Sequence, residues 1–113
     1  MALFKIYTDN NGLYRFFLKT DAKHISFIST GFSSKFICLR KLQLFRQQAV
    51  NNKYYLRLTS TEGHPYFKFK KALSQDIIGF SELFLNHEAM EEKIDEIKKV
   101  VVFAKIDNLV YGV

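Results

Sequence analysis

The feature that most constrains this chain is that it states one pattern twice. Tyr14–Lys35 reads YRFFLKTDAKHISFISTGFSSK, and Tyr66–His87 reads YFKFKKALSQDIIGFSELFLNH. In each, an aromatic strand with a Lys near its end leads through a loop to an Ile-containing strand. A Ser, a Phe and a helix start come next. Phe84, Ile94 and Ile97 follow Phe32, Leu42 and Phe45 by 52 positions each, whereas the turn glycine Gly63 follows Gly12 by 51. One residue has been inserted, most simply in the loop near Asp76. A duplication is the economical explanation, so whatever the first half folds into, the second repeats.

Leu3–Thr8 alternates Phe4 and Ile6 against Lys5 and Tyr7, the period of a strand. Asp9-Asn10-Asn11-Gly12 is a turn of residues that tolerate left-handed φ, so a hairpin follows. The returning strand, Leu13–Lys19, sets Tyr14, Phe16 and Leu18 on one face and Leu13, Arg15, Phe17 and Lys19 on the other. After a turn at Thr20–Lys23, His24–Ser29 makes a third strand, which Gly31 breaks. Ser33 and Ser34 offer N-cap oxygens to a helix from Lys35. In it Cys38, Leu42, Phe45 and Ala49 form one apolar stripe, and Cys38 reads as a buried hydrophobe rather than a reactive thiol. Phe36, Ile37, Leu39 and Leu44 widen the apolar surface beyond that stripe. Such a helix is covered on a second side or used at an interface. Asn51-Asn52 ends it.

The second half repeats the sequence of elements. Tyr54–Ser60 is a strand, Thr61-Glu62-Gly63 a turn and Tyr66–Lys70 the next strand, with Pro65 just before it, where a missing N–H costs least. Ile77–Ser81 follows a loop at Leu73–Asp76, and Asn86 caps a helix whose stripe is Met90, Ile94, Ile97 and Val101. Val100–Ile106 (VVVFAKI) is dense in β-branched residues and reads as a seventh strand. Asp107-Asn108 reads as a turn, opening a short C-terminal tail over 107–113. The expected fold class is α+β, a single domain over 1–113 built from two tandem β-β-β-α-β units, about 3–52 and 53–106. They share one antiparallel sheet, with two helices on one face and the strand after each helix exchanged between units.

Composition agrees. Hydrophobic content of 48% and charged content of 25% are ordinary for a globular protein, and Phe 12 and Tyr 6 against Trp 0 favour pleated, half-buried surface. A single Cys makes neither an intramolecular disulfide nor a thiolate cage and fits a reducing compartment. The N-terminus lacks the apolar run of a signal peptide, and no apolar stretch approaches the roughly 20 residues that cross a bilayer. The expected location is the cytoplasm, with no membrane partner. Net charge is +6, unevenly spread: ten Lys and Arg against two acids through Arg57, then seven against nine from Leu58. Either the halves attract each other within the fold, or the basic excess meets an outside partner.

The chain resembles the YegP-like family of small bacterial proteins of unknown function. The resemblance rests on FKIYTDNNGLYRFFLK (Phe4–Lys19), GFSSK (Gly31–Lys35), YFKFKK (Tyr66–Lys71) and IIGFSELF (Ile77–Phe84), and it spans about Phe4 to Val101. It implies tandem β-β-β-α-β units with exchanged post-helix strands. Where the family carries a Gly-Ile pair in each helix, this chain has Lys41-Leu42 and Lys93-Ile94, and the Asn-Gly loop between strands two and three is absent. The resemblance implies no catalytic residue and no cofactor.

Residue chemistry points the same way. His24, His64 and His87 are isolated and have no metal-ligand spacing. Glu88, Glu91, Glu92, Asp95 and Glu96 read as a solvated helix face, their first members favourably near the helix N-terminus. No Gly-rich phosphate loop exists, and no Ser/His/Asp arrangement is indicated, so the expectation is no enzyme. Two binding surfaces stay open. One is a protein or homodimer interface at Phe36, Ile37, Leu39 and Leu44. The other is a single-stranded nucleic-acid platform on the outer sheet face, where Arg15, Phe17, Lys19, Tyr66, Lys68 and Lys70 interleave rings and cations. The bland alternative for that face is a solvated sheet kept unsticky by its charges.

Overall fold

The computed structural model describes residues 1–21, 23–71 and 74–112. Ala22 and Leu73, expected in the two inter-strand loops, Val113, expected in the tail, and Ala72 lie outside the described residues. The strands are β1 (Leu3–Thr8), β2 (Tyr14–Lys19), β3 (Ile25–Ser29), β4 (Tyr55–Thr59), β5 (Pro65–Lys70), β6 (Ile77–Phe80) and β7 (Lys105–Tyr111). The helices are α1 (Lys35–Gln48) and α2 (His87–Val100). The strands form one sheet in the order β4-β5-β6-β3-β2-β1-β7.

Local chemistry explains the elements. Gly12 and Gly63 hold φ of 76° and 90° in the two hairpin turns, a region other residues enter at a cost. Ser34 caps α1 by accepting from the Ile37 amide, and Asn86 caps α2 by accepting from the Ala89 amide. Pro65 begins β5; its carbonyl accepts from the Phe84 amide at 2.7 Å, while the equivalent bridge in the first half, Tyr14 with Phe32, has bonds in both directions. Ser29 Oγ, fully buried, accepts from the Phe16 amide and donates to the Thr30 carbonyl. Ser81 Oγ does the same between Phe67 and Glu82. Both strand pairs slip register at matching places, leaving Ser26 unpaired in β3 and Ile78 in β6.

Two expectations are corrected. The sheet is mixed, because β7 runs parallel to β1 although every other pairing is antiparallel. The lane beside β2 is already filled by β1, its hairpin partner, so the strand arriving from α2 lies one lane further out. Val100–Ile106 is also not the seventh strand. Val101 stays on the buried stripe of α2 below Ile97, and the chain continues through a 3-10 turn at Val101–Phe103 before β7 starts at Lys105. Burial of that stripe outweighs the weak strand preference of β-branched residues, and most of the expected tail is strand.

The core lies between the helices and one sheet face. Phe4, Ile6, Phe16, Leu18, Phe27, Phe67 and Phe69 from the sheet, with Cys38, Leu42, Phe45, Ile94 and Ile97 from the helices, are fully buried in a single cluster. The β3–β6 junction between the halves pairs only Ile28 with Phe80 and Ser29 with Gly79. Above it Phe27 stacks on Phe45 at 4.2 Å and 14° and reaches Phe67 and Phe69 at 6.3 and 6.2 Å. Gly79 makes room for that ring. A methyl there would run into the Ile28 carbonyl and come within 2.5 Å of Phe27 Cζ.

At the β4 edge, Arg57 grips Glu91 of α2 with two bonds (2.6 and 2.9 Å) and also donates to Asn52 Oδ1. This hydrogen-bonded guanidinium holds the Glu91 carboxyl below its ordinary range. The contribution is present above the ordinary carboxylate pKa and fades as pH falls through the lowered value. Glu91→Gln should therefore lose at most about 1 kcal/mol at neutral pH, and urea midpoints of the two proteins should converge below about pH 4. Phe27→Ala should cost about 3–5 kcal/mol and Gly79→Ala about 1–3 kcal/mol. The double variant should lose less than the sum in urea melts, because the ring no longer meets the methyl. Additivity to within about 0.5 kcal/mol would refute that coupling.

Candidate functional site

The sequence of α1 buries Cys38, Leu42 and Phe45 and leaves Phe36, Arg40, Gln43 and Gln47 on the outer side of the helix. Phe36 is 69% exposed, and the Arg40 guanidinium lies 5.9 Å from its ring centroid. Ile37 is exposed at the helix start, while Leu39 and Leu44 are half-buried against the core. All four residues of the expected protein interface line one groove of about 680 Å³, with Arg40, Lys41, Gln43, Gln47 and Lys71. Burial, then the nearby Lys71 ammonium, holds the Lys41 amine below its ordinary value. The groove is thus an apolar floor with a cationic rim.

Arg40, Gln43 and Gln47 were legible as companions of Phe36, since they follow it at helical spacing. Lys71 was not, because it arrives from the end of β5 and only the fold brings it to α1.

α2 presents a different surface in the same helical frame. Both helices have 14 residues and start 52 positions apart, so Phe36, Ile37, Arg40, Gln43 and Leu44 correspond to Glu88, Ala89, Glu92, Asp95 and Glu96. Lys41 corresponds to Lys93, whose ammonium is occupied: it donates to Thr20 Oγ1 at 3.2 Å and pairs with Glu96 at 3.0 Å. Beside α2 lies a smaller hollow of about 300 Å³, lined by residues such as Glu92, Lys93 and Glu96.

The six residues of the expected nucleic-acid face all point away from the helices, because Phe16, Leu18, Phe67 and Phe69, which alternate with them, are buried against the helix layer. They form two stripes, on β2 and β5, separated by β3 and β6, or about 14 Å at three strand spacings. Residues between and beside them were missed. Register puts Leu56, Lys68, Phe80, Ile28, Phe17, Lys5 and Asp107 in one row across all seven strands. Tyr7 packs its ring 5.9 Å from Phe17, and Lys5 lies 4.9 Å over the Tyr111 ring. Arg15 is engaged, donating to Asp9 at 2.7 Å and to the Ser29 carbonyl at 3.3 Å. Arg15 also holds the Asp9 carboxyl below its ordinary range.

Other candidate chemistry is spread out. Cys38 is buried and its thiol is pushed up to about 11 by desolvation. The Tyr55 hydroxyl donates to the Ala49 carbonyl at 2.6 Å, and burial raises its pKa. His24 and His87 are exposed, and His64 sits in the β4–β5 turn. Among the described residues no three His, Cys, Asp or Glu side chains gather to hold a metal ion, and no helix is long and apolar enough to cross a membrane.

No family model matches the chain. The UPF0339 protein in the ptx operon 5′ region of Stutzerimonas stutzeri is 28% identical over 104 residues, covering 91% of this chain and 92% of its own. The solution NMR structure of the E. coli protein of unknown function yegP covers 98% of this chain and 93% of its own, with a TM-score of 0.87 at 21% identity. That of a UPF0339 protein from Shewanella oneidensis covers 98% and 90%, with a TM-score of 0.82 at 16% identity. The chain is thus similar to UPF0339 proteins in sequence, and the structural likeness shows that it shares the fold of yegP.

The groove residues divide by role. Phe36→Ser should change stability by no more than about 0.5 kcal/mol, whereas Leu42→Ala, under the same helix, should cost about 2–5 kcal/mol. Equal losses in urea melts would mean that Phe36 is structural.

Proposed function

We propose that this chain is a small non-catalytic interaction module whose docking site is the α1 groove. The observation that carries the reading is the contrast between the two helices. Where α2 has Glu88, Ala89, Glu92 and Glu96, α1 has Phe36, Ile37, Arg40 and Leu44. An exposed helix face needs no phenylalanine for folding, and a solvated one normally looks like that of α2. Clustered exposed apolar side chains mark a contact surface. The described lining residues include no carboxylate, imidazole or hydroxyl. The fitting partner is an acidic amphipathic segment, with apolar anchors for Phe36, Ile37 and Leu44 and carboxylates for Arg40, Lys41 and Lys71.

The same proposal reads the molecule as one domain of two tandem units, about 3–52 and 53–106, with post-helix strands exchanged between them. The matched bulges at Ser26 and Ile78, the matched Ser29 and Ser81 hydrogen bonds and the equal helices support it. Duplication followed by divergence of one helix face is then the origin of the groove. The single cysteine, buried as a thiol, supports a reducing compartment and a cytoplasmic location.

A second reading, weak single-stranded nucleic-acid binding on the outer sheet face, is favoured by the row in which Lys68 and Lys5 flank Phe80, Ile28 and Phe17. Bases would stack on the rings and phosphates follow the cations.

One experiment weighs both. In an amide NMR titration, an acidic amphipathic helical peptide should shift residues 36–47 and Lys71, and Arg40→Glu should abolish the effect. An oligothymidylate moving Phe17, Ile28 and Lys68 instead would favour the second reading. Shifts on neither surface would overturn both.

A further inference from the structure

Most of the charge asymmetry between the two halves is not consumed inside the fold. Among the described residues three ion pairs form: Arg15–Asp9, Arg57–Glu91 and Lys93–Glu96. Only Arg57–Glu91 joins the basic part of the chain to the acidic part. Arg40 and Lys41 of α1 make no ion pair, and neither do Glu88, Glu92 and Asp95 of α2. α1 carries four cations and no acid, whereas α2 carries five acids against three lysines. Among the described residues Arg40, Lys41, Glu88, Glu92 and Asp95 thus have no ion-pair partner in direct contact.

The α2 face also has the chemistry that the α1 groove asks for. Immediately before its cap lie Leu83 and Leu85, 55% and 82% exposed. Leu85, Glu88, Glu92 and Asp95 therefore combine an apolar anchor with a run of unpaired carboxylates on the outer side of the helix.

We infer that the occupant of the α1 groove is the Leu85–Asp95 face of a second copy of this chain. The inference rests on the docking reading of that groove and names its partner. Phe36 and Leu85 meet as apolar anchors, and Arg40 and Lys41 face Glu88 and Glu92. A two-fold axis repeats the contact, so that each copy gives its α1 groove and its α2 face to the other. A closed, isologous dimer results. At an ionic strength of about 0.15 M the repulsion between two chains of net charge +6 is screened beyond about 8 Å, while contact pairs survive.

The test is sedimentation equilibrium at that ionic strength, up to millimolar protein, with circular dichroism to verify folding of each variant. The mass should rise from 13.3 kDa toward twice that value with concentration. Arg40→Glu and Glu92→Arg should each weaken self-association about tenfold or more, since each sets like charges against one another. Mixing the two variants should restore association, because both contacts of the mixed dimer then join opposite charges. A mass that stays monomeric, or a dimer indifferent to either reversal, or variants that fail to rescue each other, would overturn the inference. If the chain is monomeric while the acidic peptide still shifts the groove, the docking reading stands without it. Silence in both assays removes both.

Discussion

The stack of Phe27 on Phe45 is the contact on which the rest of this fold depends. The β3–β6 junction has only two residue pairs, so backbone hydrogen bonding alone would leave a weak seam there. Phe27 stands over that seam and touches rings from both sides: Phe16 and Phe45 from the first half, Phe67 and Phe69 from the second. Burial of a Phe side chain is worth about 1.5–3 kcal/mol, and each well-placed ring pair adds about 0.5–1.5 kcal/mol. A few rings therefore supply what the seam lacks.

That packing breaks the likeness between the halves at its centre. Two phenylalanines facing each other across the β3–β6 junction would compete for one volume. The chain has Phe27 on β3 and Gly79 at the matching place on β6, so that a single ring fills the space. The helices follow suit, with Phe45 from α1 over the centre and Ile97 in the matching position of α2.

Departures from likeness at the surface have no such packing reason. Arg57 with Glu91 ties α2 to β4, and Lys93, paired with Glu96 within α2, reaches Thr20 just past β2, all through ordinary polar contacts. The outer side of α1 instead carries Phe36 under the Arg40 guanidinium, and neither Arg40 nor Lys41 forms an ion pair among the described residues. Exposed apolar surface opposes solubility, which is why the proposed docking site is set on this face.

Much of this was readable from residue order. The two hairpin turns at Gly12 and Gly63, the caps Ser34 and Asn86, the buried stripes of both helices and the alternation of β2 and β5 all follow from short-range periodicity and turn chemistry, and the excess apolar surface of α1 follows from the same helical period. What residue order could not decide was everything set by competition between distant segments. β7 runs parallel to β1 because the lane beside β2 was already taken, and Val101 stays helical because its stripe is buried. Lys71 reaches the α1 groove, and Ile28 and Phe80 fill the gap between the two basic stripes, only through the order of strands in the sheet. Periodicity is a property of neighbours along the chain; lane order, and with it the composition of both candidate surfaces, depends on which non-local contacts bury the most apolar area.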